Sequence, residues 1–307
     1  MRPAHTPYDG SARPFTIGLK PLDPARWIEI DDAFDFQLRE KRRIHAAHAA
    51  DVFVAEDGTG AAQREVLDLL LEHLPKHFPD RYRRACRGIF VAGHPALGFS
   101  ALAAMPALKA ASLLVQEDLV LMRKRDNAWH LVVGSVCFPS SWTLTEKFGR
   151  PLHEIHEPVP GFGPATRTAG MIERIFDNLA VALPVERSNW SIQSGGALYH
   201  PLSSARRVGR SAGRASEFPA GDAAAHSFIR VERQTLRRLP VSGDILFTIR
   251  IHLDPVSSLG RHPDGPRLAA LFAAQLAALD TDQLGYKGLA ADRDGLVEVL
   301  GAIASGA

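Results

Sequence analysis

Two histidines, His153 and His156, stand three residues apart in the stretch from Pro151 to Pro160. Glu157 precedes Pro158, which pushes its backbone out of the helical region, so a short helix carrying both rings should stop there. His156 then falls in the last turn. An imidazole so placed can rest one nitrogen on a backbone carbonyl and aim the other at a metal. The same position also suits a surface His⁺ favoured by the dipole at the helix C-terminus. A lone histidine is seldom a ligand, so spacing by itself favours the surface reading.

Glu117 and Asp118 form a second chemical feature, set in the apolar run Leu113 to Met122. Read as a buried strand, or two short ones, the run points these neighbours to opposite faces, and at most one looks into the core. A buried carboxyl needs a partner or a raised pKa. An edge or a bulge, where both reach solvent, is the commoner arrangement. In the third feature, residues 226–240, Phe228, Arg230, Glu232 and Gln234 share one strand face. Ile229, Val231, Arg233 and Thr235 share the other. Guanidinium groups beside an apolar strand commonly hold carboxylates in bidentate geometry.

These residues need elements to place them. Asp31 to Ala49 is helix-like. Thr59 to Leu74 carries Val66, Leu69, Leu70 and Leu74 at helical spacing, with Pro75 and Pro79 expected to end it. His45, His48, His73 and His77 lie in this region at spacings that can bind zinc. No carboxylate or thiol completes a site there, and they are expected to be solvated. Residues 125–128 read as a turn between the first strand and a second, Trp129 to Phe138. Gly161 to Pro164 is a loop of the kind that covers a pocket. Ala169 to Leu183 reads as an amphipathic helix. In Val185 to Ile192, Arg187, Asn189 and Ser191 alternate with Ser188, Trp190 and Ile192. Residues 241–244 form a turn, Ile245 to Leu253 a last core strand, and Arg267 to Leu279 and Asp292 to Ile303 closing helices.

The expected fold is α+β: a mostly antiparallel, PAS-like five-stranded sheet with bracketing helices and an N-terminal helical extension. The chain divides into an N-terminal arm and helical region at 1–110, a core at 111–257 and C-terminal helices at 258–307.

Composition narrows the function classes. With 46% hydrophobic and 23% charged residues and a net charge of +2, the 307-residue chain is globular in type. So small a charge points to no nucleic-acid or membrane partner. Cys86 and Cys137 are too few for an iron–sulfur cluster and lack zinc-site spacing. They are expected to be buried thiols in a reducing cytoplasm. A basic stretch, Ser203 to Ser216, reads as a solvated insertion, or as a docking patch for an acidic partner.

Several segments together resemble the family of the haem-dependent oxidative N-demethylase α subunit. They are GLKPL (18–22), LVQEDL (114–119), CFPSSW (137–142) leading into EKFGR (146–150), IHEPVP (155–160), RSNW (187–190), and RVERQTLRRLP (230–240) running into FTIR (247–250). This resemblance implies a PAS-like domain binding haem b and oxidising a secondary methylamine, such as dimethylamine, with O₂ to the primary amine and formaldehyde. Electrons would come from NADPH through partner subunits carrying FMN and a 2Fe–2S cluster. No Gly-rich dinucleotide motif is present in this chain, in keeping with that division of labour.

On this resemblance His156 is the expected axial ligand, with His153 as the alternative. Arg233 and Arg250 are candidates for pairing haem propionates, and Arg187 for further cofactor contact. Glu117, Asp118 or Glu232 would attract a cationic amine. Trp142 and Trp190 would wall its pocket by cation–π contact, although core packing explains a tryptophan equally well. A haem sensor without turnover and a haem-free binding protein remain competing functions.

Overall fold

The computed structural model describes residues 3–85, 88–97, 102–202 and 226–306. Cys86 and the basic stretch at 203–216 lie outside these residues.

The architecture is a seven-stranded antiparallel sheet covered by helices on both faces. Five long strands form its body: β5 (Asp118–Arg125), β6 (Ala128–Ser135), β7 (Val185–Ser194), β8 (Ser227–Arg238) and β9 (Ile245–Pro255). Short strands β1 (Lys20–Pro21) and β2 (Phe53–Ala55) add an edge on either side, giving the order β1-β7-β8-β9-β5-β6-β2. The expected five strands are therefore seven. Both additions are two or three residues long, too short to show alternation in a sequence. A separate hairpin pairs β3 (Tyr82–Ala85) with β4 (Gly88–Val91).

Local chemistry sets these elements. Asp126 and Asn127 adopt φ of 49° and 62°, the left-handed pair that a two-residue hairpin requires, and so join β5 to β6. The run before β5 is not strand. Residues Ala107–Ser112 form a short helix, α4, and the buried Leu113, Leu114 and Val115 follow as turns and bends, so the strand starts at Asp118.

Helices α1 (Phe34–Ala47) and α3 (Gly60–His77), separated by the short α2 (Ala49–Val52), bury Phe34, Leu38, Val66 and Leu70 against Leu119, Leu121 and Val133 of one sheet face. Pro75 does not end α3. The helix runs on to His77, with Pro75 in its last turn. Two of the four histidines expected to be solvated, His45 of α1 and His73 of α3, are buried, the latter edge-on to Trp27 at 5.3 Å.

Three C-terminal helices follow: α8 (Gly265–Ala277), α9 (Thr281–Lys287) and α10 (Arg293–Ser305). Of these α8 and α10 cover the same face further along, where Phe272, Leu296 and Leu300 meet Trp190, Ile229 and Val231.

The other face carries α5 (Leu144–Lys147), α6 (Leu152–His156) and α7 (Arg167–Asn178). Thr166 starts α7 by accepting the Ala169 amide on its hydroxyl. Ile172 and Phe176 of α7 pack with Val120, Met122 and Leu236 of the sheet. A Cβ on Gly134 would lie 2.6 Å from Leu144 Cδ1, so a larger residue there would force the Leu144 side chain to shift. No described helix is long and apolar enough to cross a membrane.

Candidate functional site

A cavity of about 270 Å³ opens between the second sheet face and its helices. Its floor is apolar: Val120, Met122, Leu131, Leu236, Phe247 and Ile249 from the strands. Ile155, Phe162, Ile172 and Phe176 close it from above. Phe162 belongs to the loop at 161–164 expected to cover a pocket, and is 4% exposed.

His156 sits on the wall of this cavity. One ring nitrogen hydrogen-bonds the backbone of Leu152, one turn back on α6. Burial, followed by the nearby Lys147 and Arg187 cations, pushes its pKa down to about 4, against the pull of the Leu152 bond. At pH 7 the imidazole is therefore neutral, and its second nitrogen carries a lone pair. His153 is not among the cavity residues; it lies near Glu173 of α7.

Three cations line the cavity: Lys147, Arg187 and Lys287. Arg187 projects from β7, and its Nε is buried with no hydrogen-bond partner among the described residues. Lys147 lies 4.3 Å above the Trp142 ring. Lys287, at the end of α9, donates to the Trp190 carbonyl and lies 4.4 Å from that indole and 5.1 Å from the Phe15 ring. Burial pushes its pKa down to about 7; Glu232 opposes the shift and Arg187 adds to it. Among the described residues Glu232 is the one acid of the lining. It accepts from Gln234 Nε2 at 3.1 Å and lies 3.7 Å from Arg230 Nε.

The structure thus gathers His156, Arg187, Trp142, Glu232 and the backbone of Trp190 at one cavity. The Trp190 ring packs edge-on against Phe272 and donates to Gln275, so it belongs to the core under α8. Four other expected site residues are not brought there. Arg233 projects from the opposite sheet face and bonds Glu186 at 2.7 Å and the carbonyls of Arg26 and Trp27. Arg250, also on that face, pairs with Asp31 at 2.5 Å and Gln37 at 2.8 Å. Glu117 accepts the Glu29 amide at 3.0 Å. Asp118 accepts the amides of Cys137 and Phe138 at 2.9 and 2.8 Å and lies 3.4 Å from Lys41. Burial raises the pKa of both acids. All four side chains bond groups of the protein outside the cavity, although Glu117 Oε2 and Arg250 Nε are buried without a partner among the described residues.

Sequence reading passed over Lys147, Lys287 and His200, which also lines the cavity. One signal was available for Lys287. Asp280 and Gln283 make a reciprocal capping box at the start of α9, readable as Asp followed three residues later by Gln. It marks a helix that ends on Lys287.

Comparison with known protein families yields a match over residues 18–297, to the family described as haem-dependent oxidative N-demethylase, alpha subunit-like. The match spans the whole sheet and every element that builds the cavity, and on it the chain belongs to that family.

Proposed function

We propose that the cavity binds haem b with His156 as axial ligand, and that the chain oxidatively demethylates a small secondary methylamine of the dimethylamine type. The observation that carries this reading is a neutral imidazole on the wall of an apolar cavity, one nitrogen already held by its own helix backbone. That second bond fixes the ring's orientation, as outer partners of metal-bound histidines do.

The surrounding residues fit the group. Its macrocycle suits the apolar floor, and its two carboxylates suit the cations at Arg187, Lys147 and Lys287. The buried, unpartnered Nε of Arg187 gains an acceptor on binding. The strand order supports a PAS-like core at 111–257. In chain order the five long strands lie second, first, fifth, fourth, third across the sheet. The arm and helices of 1–110 and the helices of 258–307 then flank that core.

Haem, when bound, supplies the oxidative chemistry that removal of an N-methyl group requires. The chain supplies ligation, orientation and exclusion of water. Phe162 and Ile155 shield the imidazole side, and Glu232 offers an ammonium substrate its carboxylate. With only two cysteines the chain builds no iron–sulfur cluster. As the family resemblance implies, electrons would arrive from NADPH through partner subunits carrying FMN and a 2Fe–2S centre, in a cytoplasmic assembly.

A second reading, a haem protein without turnover, is favoured by one feature. Among the described residues the cavity lining holds three cations and one acid, a poor match for an ammonium substrate. Hemin added to the purified chain should give a Soret band that His156→Ala abolishes and His153→Ala keeps. The reverse pattern would make His153 the ligand, and no band in the parent protein would sink the haem proposal. Formaldehyde release from dimethylamine, with NADPH and the partner reductase, separates turnover from sensing.

A further inference from the structure

On the sheet face away from the cavity, three potential ligand atoms from three separate segments converge. His5 lies in the N-terminal arm, Glu29 in the loop before α1 and His252 on β9. His5 Nε2 is 2.9 Å and His252 Nε2 is 3.2 Å from the same Glu29 oxygen, and all three atoms lie within 4.8 Å of one another. We propose that His5, Glu29 and His252 form a zinc site that fastens the N-terminal arm to the sheet.

The spacing is that of a coordination shell. Tetrahedral zinc with bonds of roughly 2.0–2.1 Å places its ligand atoms about 3.3 Å apart. Two imidazole nitrogens and one carboxylate oxygen are borderline donors that suit Zn²⁺, and three protein ligands leave a fourth position for water. His5 and Glu29 are only half-buried, so that position faces solvent.

The surroundings are also those of a metal site. The other nitrogen of His252, Nδ1, lies 3.6 Å from Asp31 Oδ2, the carboxylate–histidine arrangement that orients a ligand ring. Arg233 Nε approaches the second Glu29 oxygen at 3.4 Å and leaves the shared one to the imidazoles. Charge is compatible with a dication. The carboxylates Glu29, Asp31, Glu186 and Asp254 surround the cluster against two guanidiniums, Arg233 and Arg250. The arm itself is already threaded here, because Tyr8, three residues on, is fully buried and stacked on Phe272 at 4.3 Å.

The test is a titration of ZnCl₂ into chelator-stripped, haem-free full-length protein, read by calorimetry and by metal analysis after desalting. The expected result is one zinc per chain. His5→Ala changes a half-exposed arm residue and should leave the fold intact. It should weaken binding beyond the ~10–100-fold that outer-shell changes cost. His156→Ala should leave zinc binding unchanged, since that ring belongs to the cavity. In thermal melts zinc should raise the midpoint of the parent protein and not that of His5→Ala. No stoichiometric zinc in the parent protein overturns the proposal. So does equal binding by His5→Ala, or loss of binding in His156→Ala, which would place the metal in the cavity.

Discussion

Arg187 and Arg233 stand on adjacent strands of one sheet, yet they meet opposite environments. Arg233 projects to the face under α1 and finds Glu186, Glu29 and two backbone carbonyls. Arg187 projects to the cavity face, where its Nε is buried without a partner and burial lowers its pKa. The contrast extends to their neighbours. On the first face Arg250 has Asp31 and Gln37. On the second, Glu232 is the acid whose charge acts on Arg187 and Lys287. Arg187 is a cation buried at a cavity wall with a donor left over, a position that a ligand's acceptor can fill. The first face should therefore fail by unfolding, and the second by losing what it binds.

The largest effect should come from Lys41, on the paired side. It is 0% exposed, with its ammonium on the carbonyls of Ser112, Val115 and Glu117 and 3.4 Å from Asp118. Lys41→Met strands the Asp118 charge and three carbonyls at once. Breaking a buried pair in this way costs about 3–5 kcal/mol. Urea melts should show that loss, and a variant within about 1 kcal/mol of the parent would break the comparison at its root.

His156→Ala should do the opposite: abolish the Soret band while moving the urea midpoint little, because the ring touches the cavity more than the core. Its pH behaviour follows from the direction of its shift. The folded pKa, about 4, lies below the usual 6.5 because the ring is buried neutral. Between those values the unfolded chain binds the extra proton, so stability falls as pH drops from about 6.5 to about 4 and this contribution then levels off. Haem binding through this ring should be flat down to about pH 5 and fail near 4. A Soret titration midpoint near 6.5 would show a solvated imidazole.

How much of this was legible beforehand depends on whether a residue's fate is local. The turn at Asp126 and Asn127, the alternation along β8 and the stop of α6 after His156 are set by neighbours in sequence, and each could be read there. Which face of β8 would meet the cavity is not local. Alternation separated Glu232 from Arg233, but only packing of α1 and α7 decided that Glu232 would see the cavity and Arg233 would see Glu186. Arg250 and Asp118 were misplaced for the same reason: their partners, Asp31 and the amides of Cys137 and Phe138, are distant or irregular in sequence. Lys287 needed a helix recognised by its cap, not by its apolar stripe.

A smaller effect is expected at Lys287. Its folded pKa of about 7 lies well below the 10.5 of a solvated lysine, again chiefly through burial. Stability therefore rises as pH climbs from about 7 to about 10.5, since the unfolded chain alone stays protonated there. Affinity for a carboxylate-bearing ligand should move the other way, falling above pH 7 as Nζ loses its charge. Hemin affinity measured at pH 6 and pH 8.5 should drop on the order of tenfold in the parent protein. In Lys287→Met it should be low and flat. A parallel drop in both would assign the titration to another group.

The smallest change separates two tryptophans that look alike in sequence. Trp142 is half-exposed, and its ring carries Lys147 at 4.3 Å. Trp190 is 3% exposed and bonded to Gln275. A cation–π contact at a partly open site is worth about 0.5–1 kcal/mol, so Trp142→Leu should weaken hemin binding only about two- to fivefold, by freeing Lys147 from its fixed position. Lys147→Met should produce a similar loss, and the double variant should lose little more than either alone, because the two act through one contact. Additive losses would mean that Trp142 touches the ligand directly, and the cavity wall would then be aromatic where the structure places a held cation.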